Sequence, residues 1–292
     1  MNMRSIEVPE PREDVKHRLA KHFPTLRRRR SERRAPPGTR KRGAALTIAR
    51  DEHVFLPIWL RYYSQFFPPE DLYVLDHGTS DGSTDRGGFV RVPVSHDTVD
   101  HTWMVRTIEA QQHELIEQYD VVVVTDVDEI VAPHPDFGTL ADYIDRLDEP
   151  YVNCMGYELI HLVDREGCFD PARKVLDQRG HWFANQIYDK PALATEPMRW
   201  VPGFHRSAEL KMRPDPDLHL IHLHRMDYDI CLERHRYRQR RAWNSRDIEL
   251  GWAGHNLITD EAEFATWFYG DSNAAWIDLV IERIPAAWRG LF

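Results

Sequence analysis

The sequence has few cysteines and no long apolar stretch. Its three cysteines, Cys154, Cys168 and Cys231, are widely spaced and odd in number, and no C-x-x-C pair occurs. This pattern argues against a disulfide framework or a thiolate zinc site and favours a reducing compartment. No run approaches the roughly eighteen apolar residues of a transmembrane helix, and the first residues lack the apolar core of a secretory signal. We therefore expect a cytoplasmic protein.

Positive charge is concentrated near the N-terminus. Residues 1–42 contain 14 of the 38 Lys and Arg residues but only 5 of the 47 Asp and Glu residues. The remainder of the chain is acidic and would repel phosphate, so nucleic acid is not an expected partner. We expect residues 1–42 to form a mobile basic segment. A peripheral contact with the anionic inner face of a membrane is the alternative.

The first half of the sequence alternates short apolar runs with helical patterns. Each apolar run is bounded by polar or turn-forming residues, as buried strands are. This alternation predicts βαβ units in an α/β fold, with a mostly parallel central sheet flanked by helices. Ligands bind such sheets beyond the carboxyl ends of the strands. The predicted strands are 44–49, 72–76, 89–95 and 121–124, and the clearest predicted helix is 103–118.

The second half of the sequence is less regular. Residues 164–217 are rich in Pro, Asp, Arg and aromatic residues, which predicts mostly loops. The last segment, 273–292, places Trp276, Ile284 and Trp288 at helical spacing. It predicts a helix that caps the core, with a helix lying on a membrane or docking on a partner as the alternative. Other predicted elements are a helix at 140–147, strands at 151–160 and 218–224, and a basic helix at 230–242.

The most informative motif is an acidic pair at the end of the four-valine strand, in the sequence VVVVTDVDEI. In an extended chain alternate side chains share a face, so Asp126 and Asp128 are expected to point together while Val127 faces the core. Two carboxylates on one face repel each other unless a cation lies between them, and oxygen ligands suit Mg²⁺ or Mn²⁺. Such an ion can bridge a diphosphate and neutralise the charge that develops when it leaves.

A histidine pair on a later strand offers further metal ligands. His222 and His224 lie two residues apart in the sequence LHLIHLHR and share one face, while Ile221 and Leu223 share the other. One of the two imidazoles is a candidate ligand of the same ion, with His222 as the first choice. The alternative is that both are polar residues of a half-buried strand.

Four further residues are candidates for contacting a nucleotide. Asp76 ends the second strand, where a carboxylate can accept a hydrogen bond from a base N–H. Asp81, in the loop sequence SDGST, has the same capacity, although an Asx turn is the stronger interpretation. Arg106 and Lys190 are candidate phosphate partners, with ordinary surface charges as the alternative.

At these residues the chain resembles the family 2 glycosyltransferases of the GT-A fold, in a bacterial branch. The matching pieces are ALTIARDEHVFLPIWLRYY, LYVLDHGTSDGSTD and VVVVTDVDEI, which keep the family's order and spacing over residues 44–131. The resemblance implies a GT-A-type domain over 43–292, with a nucleotide-binding half at 43–131 and an acceptor half with C-terminal helices at 132–292. It implies a metal-dependent transfer of a sugar from a nucleoside-diphosphate sugar to a hydroxyl acceptor, either a saccharide or a lipid-linked glycan.

The resemblance also implies roles for individual residues. Ala49 and Asp51 fall where the family's first loop lines the nucleotide. Asp76 falls where the family reads the base, and His77 replaces the second Asp that usually follows it. Asp128, with Asp126 two residues before it, falls where the family binds the metal and the diphosphate.

An inverting transfer also needs a carboxylate that takes the proton of the acceptor hydroxyl. Glu158 is the first choice for this base, because it lies at the end of a predicted strand in the half expected to face the acceptor. Asp189 and Glu196 are other candidates. An ordinary structural role for Glu158 is the alternative.

Two other functions are compatible with the sequence. A Mg²⁺-dependent phosphohydrolase of the haloacid dehalogenase type also places D-x-D after a buried strand, although it does so on its first strand. A domain of the same fold that binds a glycan or a nucleotide without turnover is the second alternative. Release of phosphate from simple phosphoesters would indicate the first, and nucleotide binding without transfer would indicate the second.

Overall fold

The structure, a computed structural model, describes residues 40–207, 213–252, 254–270 and 280–292. The predicted basic segment, residues 1–42, lies almost wholly outside these ranges, so its mobility and its membrane contact stay predictions. Residues Arg42–Phe292 form one unit. The functional division of this unit at residue 131 also stays a prediction.

Four parallel strands form the first part of the sheet. β1 (Gly43–Ala49), β2 (Leu72–Asp76), β3 (Val90–Pro93) and β4 (Val121–Val124) lie in the order β3-β2-β1-β4, and each neighbouring pair is parallel. Every residue of β1 and β4 is buried, so these strands are continuous apolar runs instead of alternating ones. The predicted α/β fold, with helices flanking a central sheet, is confirmed.

Two helices connect the parallel strands. α1 (Phe55–Tyr63) has Pro57 in its first turn, where a missing N–H costs no hydrogen bond. α2 (His101–Ile116) begins after Asp100, whose side chain accepts a hydrogen bond of 2.8 Å from the Trp103 N–H. The predicted helix at 103–118 is therefore confirmed, two residues nearer the N-terminus.

The side chains of β1 and β4 alternate between two apolar cores. Ala45 and Val123 pack in the core that contains the buried residues of α1. Leu46 and Val122 pack in the core that contains those of α2. Both faces of the sheet are therefore covered at β1 and β4.

The second half of the chain adds mainly antiparallel pairings. β8 pairs antiparallel with β4 and joins the two parts of the sheet, while β9 pairs antiparallel with β5 and parallel with β6. The strands predicted at 151–160 and 218–224 are confirmed, although β9 begins earlier. The strands of this half are β5 (Glu129–Pro133), β6 (Tyr151–Ile160), β7 (His181–Ala184), β8 (Pro191–Ala194), β9 (Pro214–Arg225) and β10 (Glu282–Arg283).

The prediction of mostly loops over 164–217 missed two strands of the central sheet. β7 and β8 lie on either side of β6, and both pair with it antiparallel. Each has only four residues, which is too short for a period of two to stand out in the sequence.

Helices α3 to α6 complete the described part of the chain. The helix predicted at 140–147 is confirmed as α3. The helix predicted at 230–242 is confirmed as α4, which begins after Asp227, whose side chain accepts a hydrogen bond of 3.0 Å from the Ile230 N–H. Within the described ranges, no helix is long and apolar enough to cross a membrane. These helices are α3 (Leu140–Arg146), α4 (Tyr228–Gln239), α5 (Ser245–Glu249) and α6 (Glu261–Tyr269).

The C-terminal helix predicted over 273–292 is wrong for the part that the structure describes. Residues 280–292 contain β10 and a single 3-10 turn at Ala286–Trp288. Pro285 precedes that turn, and proline interrupts a helix because it lacks an N–H and clashes with the preceding turn. Ile284 and Trp288 are nevertheless buried in the chain's own core, as the capping interpretation requires. Trp276 lies outside the described residues.

Candidate active site

A cleft of about 430 Å³ opens at the carboxyl edge of the parallel strands. Its lining includes Arg50, Asp51 and Glu52 after β1, His77 after β2, and residues 126–128 after β4. Residues that follow three of the parallel strands therefore meet in one cleft, at the edge of the sheet where the sequence predicted a ligand to bind. β9 and α4 supply further lining residues, so the cleft lies between the parallel strands and the second half of the chain.

Asp128 lies among buried polar side chains on one side of the cleft. Its Oδ2 atom is 3.6 Å from His222 Nε2 and 3.6 Å from His224 Nδ1, and it accepts a hydrogen bond from Arg234 Nη1. Burial alone would raise the pKa of Asp128, but the Arg234 guanidinium and the hydrogen bond with His222 outweigh burial and hold this pKa well below its usual value. Asp128 is therefore an ionised carboxylate.

His222 is held in place by a carboxylate and an aromatic ring. Its Nδ1 atom is 2.8 Å from Glu158 Oε2, and the ring of Tyr188 lies against its imidazole with the centroids 4.1 Å apart. Burial would lower the pKa of His222, but Glu158 and Asp128 outweigh it and raise this pKa to about 10. Because a carboxylate only accepts, Nδ1 donates its proton to Glu158 Oε2. With this raised pKa Nε2 also carries a proton, which is directed at Asp128 and would be released on binding of a metal ion.

Glu158 is not placed to act as the predicted catalytic base. It is 1% exposed, and it is absent from the described residues that line the cleft. Its Oε1 atom accepts a hydrogen bond of 3.3 Å from the Arg225 N–H while Oε2 contacts His222. A catalytic-base role for Glu158 therefore stays a prediction that this geometry does not favour.

The tautomer of His224 follows from its hydrogen bonds. Arg234 Nη1 lies 3.1 Å from His224 Nδ1, and because arginine only donates, Nδ1 accepts. His224 Nε2 then donates to His235 Nε2 at 3.0 Å, and His235 Nδ1 donates to the Ile258 carbonyl at 3.1 Å. Burial is the main reason that the pKa of each histidine is lowered, to about 3 for His235. Both imidazoles are therefore neutral at pH 7.

Asp128, His222 and His224 form a group that fits a divalent metal ion. One ligand atom from each lies within 4.8 Å of the other two. Ligand atoms at roughly 2.1 Å from an ion lie roughly 3.0–3.4 Å from one another, so the separations of 3.6 Å require only a small contraction. One carboxylate and two imidazoles suit Mn²⁺ better than Mg²⁺, which prefers oxygen ligands.

Asp126 lies outside that group, and the expectation that it points together with Asp128 is wrong. β4 ends at Val124, and a turn follows in which the Glu129 N–H donates to the Asp126 carbonyl at 3.1 Å. The alternation of an extended strand therefore does not apply. The Asp126 carboxylate instead lies 3.0 Å from Lys190 Nζ. Asp126 nevertheless lines the cleft.

Lys190 is a structural cation in this arrangement. Its Nζ atom is buried between Asp126 Oδ2 at 3.0 Å and Glu129 Oε2 at 2.7 Å, and the side chain is 2% exposed. Burial lowers the pKa of Lys190, but the two carboxylates outweigh burial and raise it. This placement does not support the predicted phosphate contact, because two carboxylates already neutralise the ammonium.

The other nucleotide candidates are placed as follows. Both oxygens of Asp76 are engaged, Oδ1 with the Thr79 N–H at 2.8 Å and Oδ2 with Arg91 Nη2 at 2.6 Å, and among the described residues the cleft lining includes its neighbour His77 in its place. Base reading by Asp76 therefore stays a prediction that this geometry does not favour. Arg106 is exposed on α2, away from the described lining, so its phosphate contact is unsupported.

Asp51 and Asp81 shape the loops at the cleft rim. Asp81 Oδ1 accepts a hydrogen bond of 2.8 Å from the Ser83 N–H, which is the Asx turn that the sequence favoured. Asp51 Oδ1 accepts from the N–H groups of Ser80 at 2.6 Å and Asp81 at 3.0 Å, and Oδ2 accepts from the Tyr237 hydroxyl. Asp51 thus ties the loop after β1 to the loop after β2 and to α4. Asp51 and Ala49 both line the cleft, and their contact with a nucleotide stays a prediction.

The sequence analysis overlooked the arginines of the cleft. Arg50, Arg234, Arg238 and Arg241 line it, although the net charge of the chain is −9. Burial and then the neighbouring Arg50 guanidinium lower the pKa of Arg241, as expected where like charges lie close together. The signal was present in the sequence RHRYRQRR at 234–241. Arg234 and Arg238 are four residues apart on α4 and so share one face, and Arg241 follows the end of this helix.

Comparison with known proteins gives partial similarities to solved structures. No family model and no curated protein matches the chain. The mannosyltransferase PcManGT from Pyrobaculum calidifontis, in complex with GDP-Man and Mn²⁺, is 21% identical over 49% of this chain and 45% of its own, with a TM-score of 0.29. Glucosyl-3-phosphoglycerate synthase from Mycobacterium tuberculosis, in complex with Mn²⁺, UDP and glucosyl-3-phosphoglycerate, is 18% identical over 42% and 50%, with a TM-score of 0.27.

A third similar structure is an active-site mutant of LgtC, 19% identical over 52% of this chain and 57% of its own, with a TM-score of 0.23. This chain therefore spans about half the length of each of the three structures. All three are glycosyltransferases, the class that the sequence resembles.

Proposed function

We propose that the chain is a metal-dependent glycosyltransferase that moves a sugar from a nucleoside-diphosphate sugar to a hydroxyl acceptor. The observation that supports this most strongly is the meeting of two kinds of site in one cleft. A carboxylate and two imidazoles suited to a divalent ion line the same cleft as four arginines. A diphosphate is the ligand that needs both, because its negative charge is shared between a metal ion and guanidinium groups.

The proposed metal site consists of Asp128, His222 and His224. A divalent ion held there supplies neutralisation of the charge that develops as the nucleoside diphosphate leaves the sugar. Three protein ligands leave positions for phosphate oxygens and water. Asp126, which the sequence also assigned to the metal, reaches the ion in this scheme only after release from Lys190, so we propose it as a neighbour of the site and not as a ligand.

The proposed donor site extends from this metal site along the ends of β1 and β2. Ala49 and Asp51 form its wall beside the base and ribose. Arg50 and Arg241 both line the cleft, and after burial the charge of Arg50 lowers the pKa of Arg241, so a phosphate between them would relieve their mutual repulsion. A guanidinium also binds phosphate oxygens in a bidentate manner. This part of the cleft therefore suits the diphosphate.

The proposed acceptor side lies beyond the metal site, where Tyr188, Phe204 and His205 line the cleft. Burial is the largest cause that lowers the pKa of His205, to about 4, so this imidazole is neutral at pH 7. Its Nδ1 atom is buried and has no hydrogen-bond partner among the described residues. A neutral hydrogen-bonding group beside aromatic rings suits a sugar hydroxyl and a sugar ring face, so we propose a saccharide or lipid-linked glycan as acceptor.

A thermal-shift panel tests the donor and the metal together. UDP-, GDP- and dTDP-sugars are added with and without Mn²⁺, to the wild type and to Asp128→Asn. We expect one nucleotide series to raise the midpoint of unfolding of the wild type only when Mn²⁺ is present, because a ligand that binds the folded state stabilises it. In Asp128→Asn the rise in the midpoint of unfolding that depends on Mn²⁺ should be absent. A panel without any Mn²⁺-dependent shift would contradict the proposal.

A further inference from the structure

The guanidinium of Arg234 lies where a metal ion would bind. Its Nη1 atom donates to Asp128 Oδ2 and lies 3.1 Å from His224 Nδ1. These are two of the three ligand atoms of the proposed metal site. The lone pair that each atom would offer to a metal ion is directed at the Arg234 guanidinium. An ion that binds Asp128 and His224 through these atoms must first displace this N–H group.

Loss of a proton cannot clear the site. An arginine side chain stays charged in proteins at all ordinary pH values. The site is therefore opened only by movement of the guanidinium away from Asp128.

Contacts on the other edge of Arg234 allow such a movement. Nη2 and Nε contact Glu52 Oε1 at 2.6 and 3.2 Å, and Cζ lies 4.4 Å from the centre of the Phe55 ring. None of these contacts uses Nη1. Glu52 and Phe55 can therefore keep the guanidinium in the cleft wall and balance its charge after Asp128 has changed partners.

We infer that Arg234 is a built-in competitor of the metal ion, held ready by Glu52, and that it sets the affinity of the site for Mn²⁺. This inference rests on the proposed function, because it concerns the metal site of that reaction. Arg234 acts on Asp128 and His224 and is a specificity-determining residue of the site. In the absence of a metal ion it satisfies a buried carboxylate, which would otherwise carry an unpaired charge.

The test measures Mn²⁺ binding directly, by calorimetry with MnCl₂ and by the electron paramagnetic resonance signal of free Mn²⁺. In Arg234→Gln we expect Mn²⁺ to bind about tenfold more tightly or better than in the wild type, within the usual range of coupling between linked events. Arg236→Gln is the matched control. Arg236 lies two positions away on α4, is exposed and pairs with Glu261, so this variant should keep the wild-type affinity.

A second variant tests the role of Glu52. In Glu52→Gln the guanidinium loses its alternative carboxylate and depends more on Asp128, so Mn²⁺ should bind more weakly than in the wild type. The two variants thus change the affinity in opposite directions. If Arg234→Gln does not fold, Arg234→Lys takes its place. Lysine lacks the planar fork through which Arg234 contacts Glu52 on one edge and both Asp128 and His224 on the other, so it should compete less with Mn²⁺, and tighter binding is again expected.

The outcomes separate this inference from the proposed function. If the wild type binds Mn²⁺ but folded Arg234→Gln or Arg234→Lys binds it with unchanged or weaker affinity, Arg234 does not compete with the metal ion. The proposed metal site is retained in that case. Absence of Mn²⁺ binding from the wild type and the variants alike overturns both. Tighter binding in the Arg234 variants and weaker binding in Glu52→Gln supports the inference.

Discussion

Glu158 Oε2 lies 2.8 Å from His222 Nδ1, and the opposite ring nitrogen of His222 is directed at Asp128. The two residues are cross-strand partners in the parallel pair of β6 and β9. A carboxylate behind a metal-binding histidine fixes the tautomer and orientation of the ring and strengthens its other nitrogen as a ligand. The backbone register of two strands therefore builds this support into the fold.

The first prediction concerns the charge of Glu158. Glu158→Gln should lower the affinity for Mn²⁺ by about 10- to 100-fold, because partners behind a ligating histidine have effects of that size. Calorimetry with MnCl₂ measures the change. Glu166→Gln is the control, because Glu166 forms a similar pair with His181 at 3.0 Å and lies away from the described cleft lining. Normal Mn²⁺ affinity with lost turnover would restore Glu158 as the catalytic base.

The second prediction separates the two aspartates of the D-x-D motif. Asp128→Asn should remove Mn²⁺ binding, because Asp128 is the only carboxylate in the ligand group found among the described residues. Asp126→Asn should retain most of the binding, because Asp126 pairs with Lys190 instead. Calorimetric titration with MnCl₂ measures the Mn²⁺ affinity of each variant. Equal losses in the two variants would show that the ion bridges both carboxylates, as the sequence suggested.

Short apolar runs in the sequence were sufficient to predict the parallel strands and the edge of the sheet at which they end. β1, β2 and β4 are apolar runs, and parallel strands must end at a common edge. The meeting of Asp51, His77 and Asp128 in one cleft follows from those two facts. The end of β4 at Val124 was predicted, but the turn that follows it was not, because the motif was expected to continue as an extended chain to Asp128.

Pairings over long sequence separations escaped the sequence analysis. The contact of Lys190 with Asp126 joins residues that are 64 positions apart, as does that of Glu158 with His222. Such contacts depend on strand register, and a change of register by one residue turns each side chain to the other face. The arginines of α4 are a different case, since their helical spacing was visible in the sequence.

The third prediction concerns Gly156, which lies against the backbone next to Tyr188. A Cβ atom at residue 156 would lie 2.5 Å from the Asn185 carbonyl oxygen and 2.5 Å from the Tyr188 carbonyl carbon. Gly156→Ala must therefore displace the turn that positions the Tyr188 ring against His222. We expect a loss of about 1–3 kcal/mol in the free energy of unfolding, as for other overpacked sites, together with weaker Mn²⁺ binding.

Urea unfolding measures this loss, and a matched glycine provides the control. Gly167 is exposed, and a Cβ atom there would meet no described atom within 4 Å. Gly167→Ala should therefore change neither the stability nor the Mn²⁺ affinity by a measurable amount. A stable Gly156→Ala variant with normal Mn²⁺ affinity would show that Tyr188 does not support His222.

The fourth prediction concerns the pH dependence of stability. His219 is buried between the rings of Tyr157 and Trp288, and burial, followed by the charge of His134, lowers its pKa from 6.5 to about 4. Between these values the unfolded chain binds a proton that the folded chain does not. The free energy of unfolding must therefore fall as the pH drops from 6.5 to 4, by at most about 3 kcal/mol from this residue.

His219→Phe removes this proton uptake and keeps an aromatic ring between Tyr157 and Trp288. It also removes the buried Nδ1 atom, which has no hydrogen-bond partner among the described residues. Urea unfolding at pH 7 and at pH 4.5 should therefore show a smaller loss of stability on acidification in this variant than in the wild type. His53→Asn, at an exposed position, should lose as much as the wild type. An equal loss in His219→Phe and the wild type would mean that His219 takes up its proton in the folded state, which requires solvent to reach the ring within its aromatic surroundings.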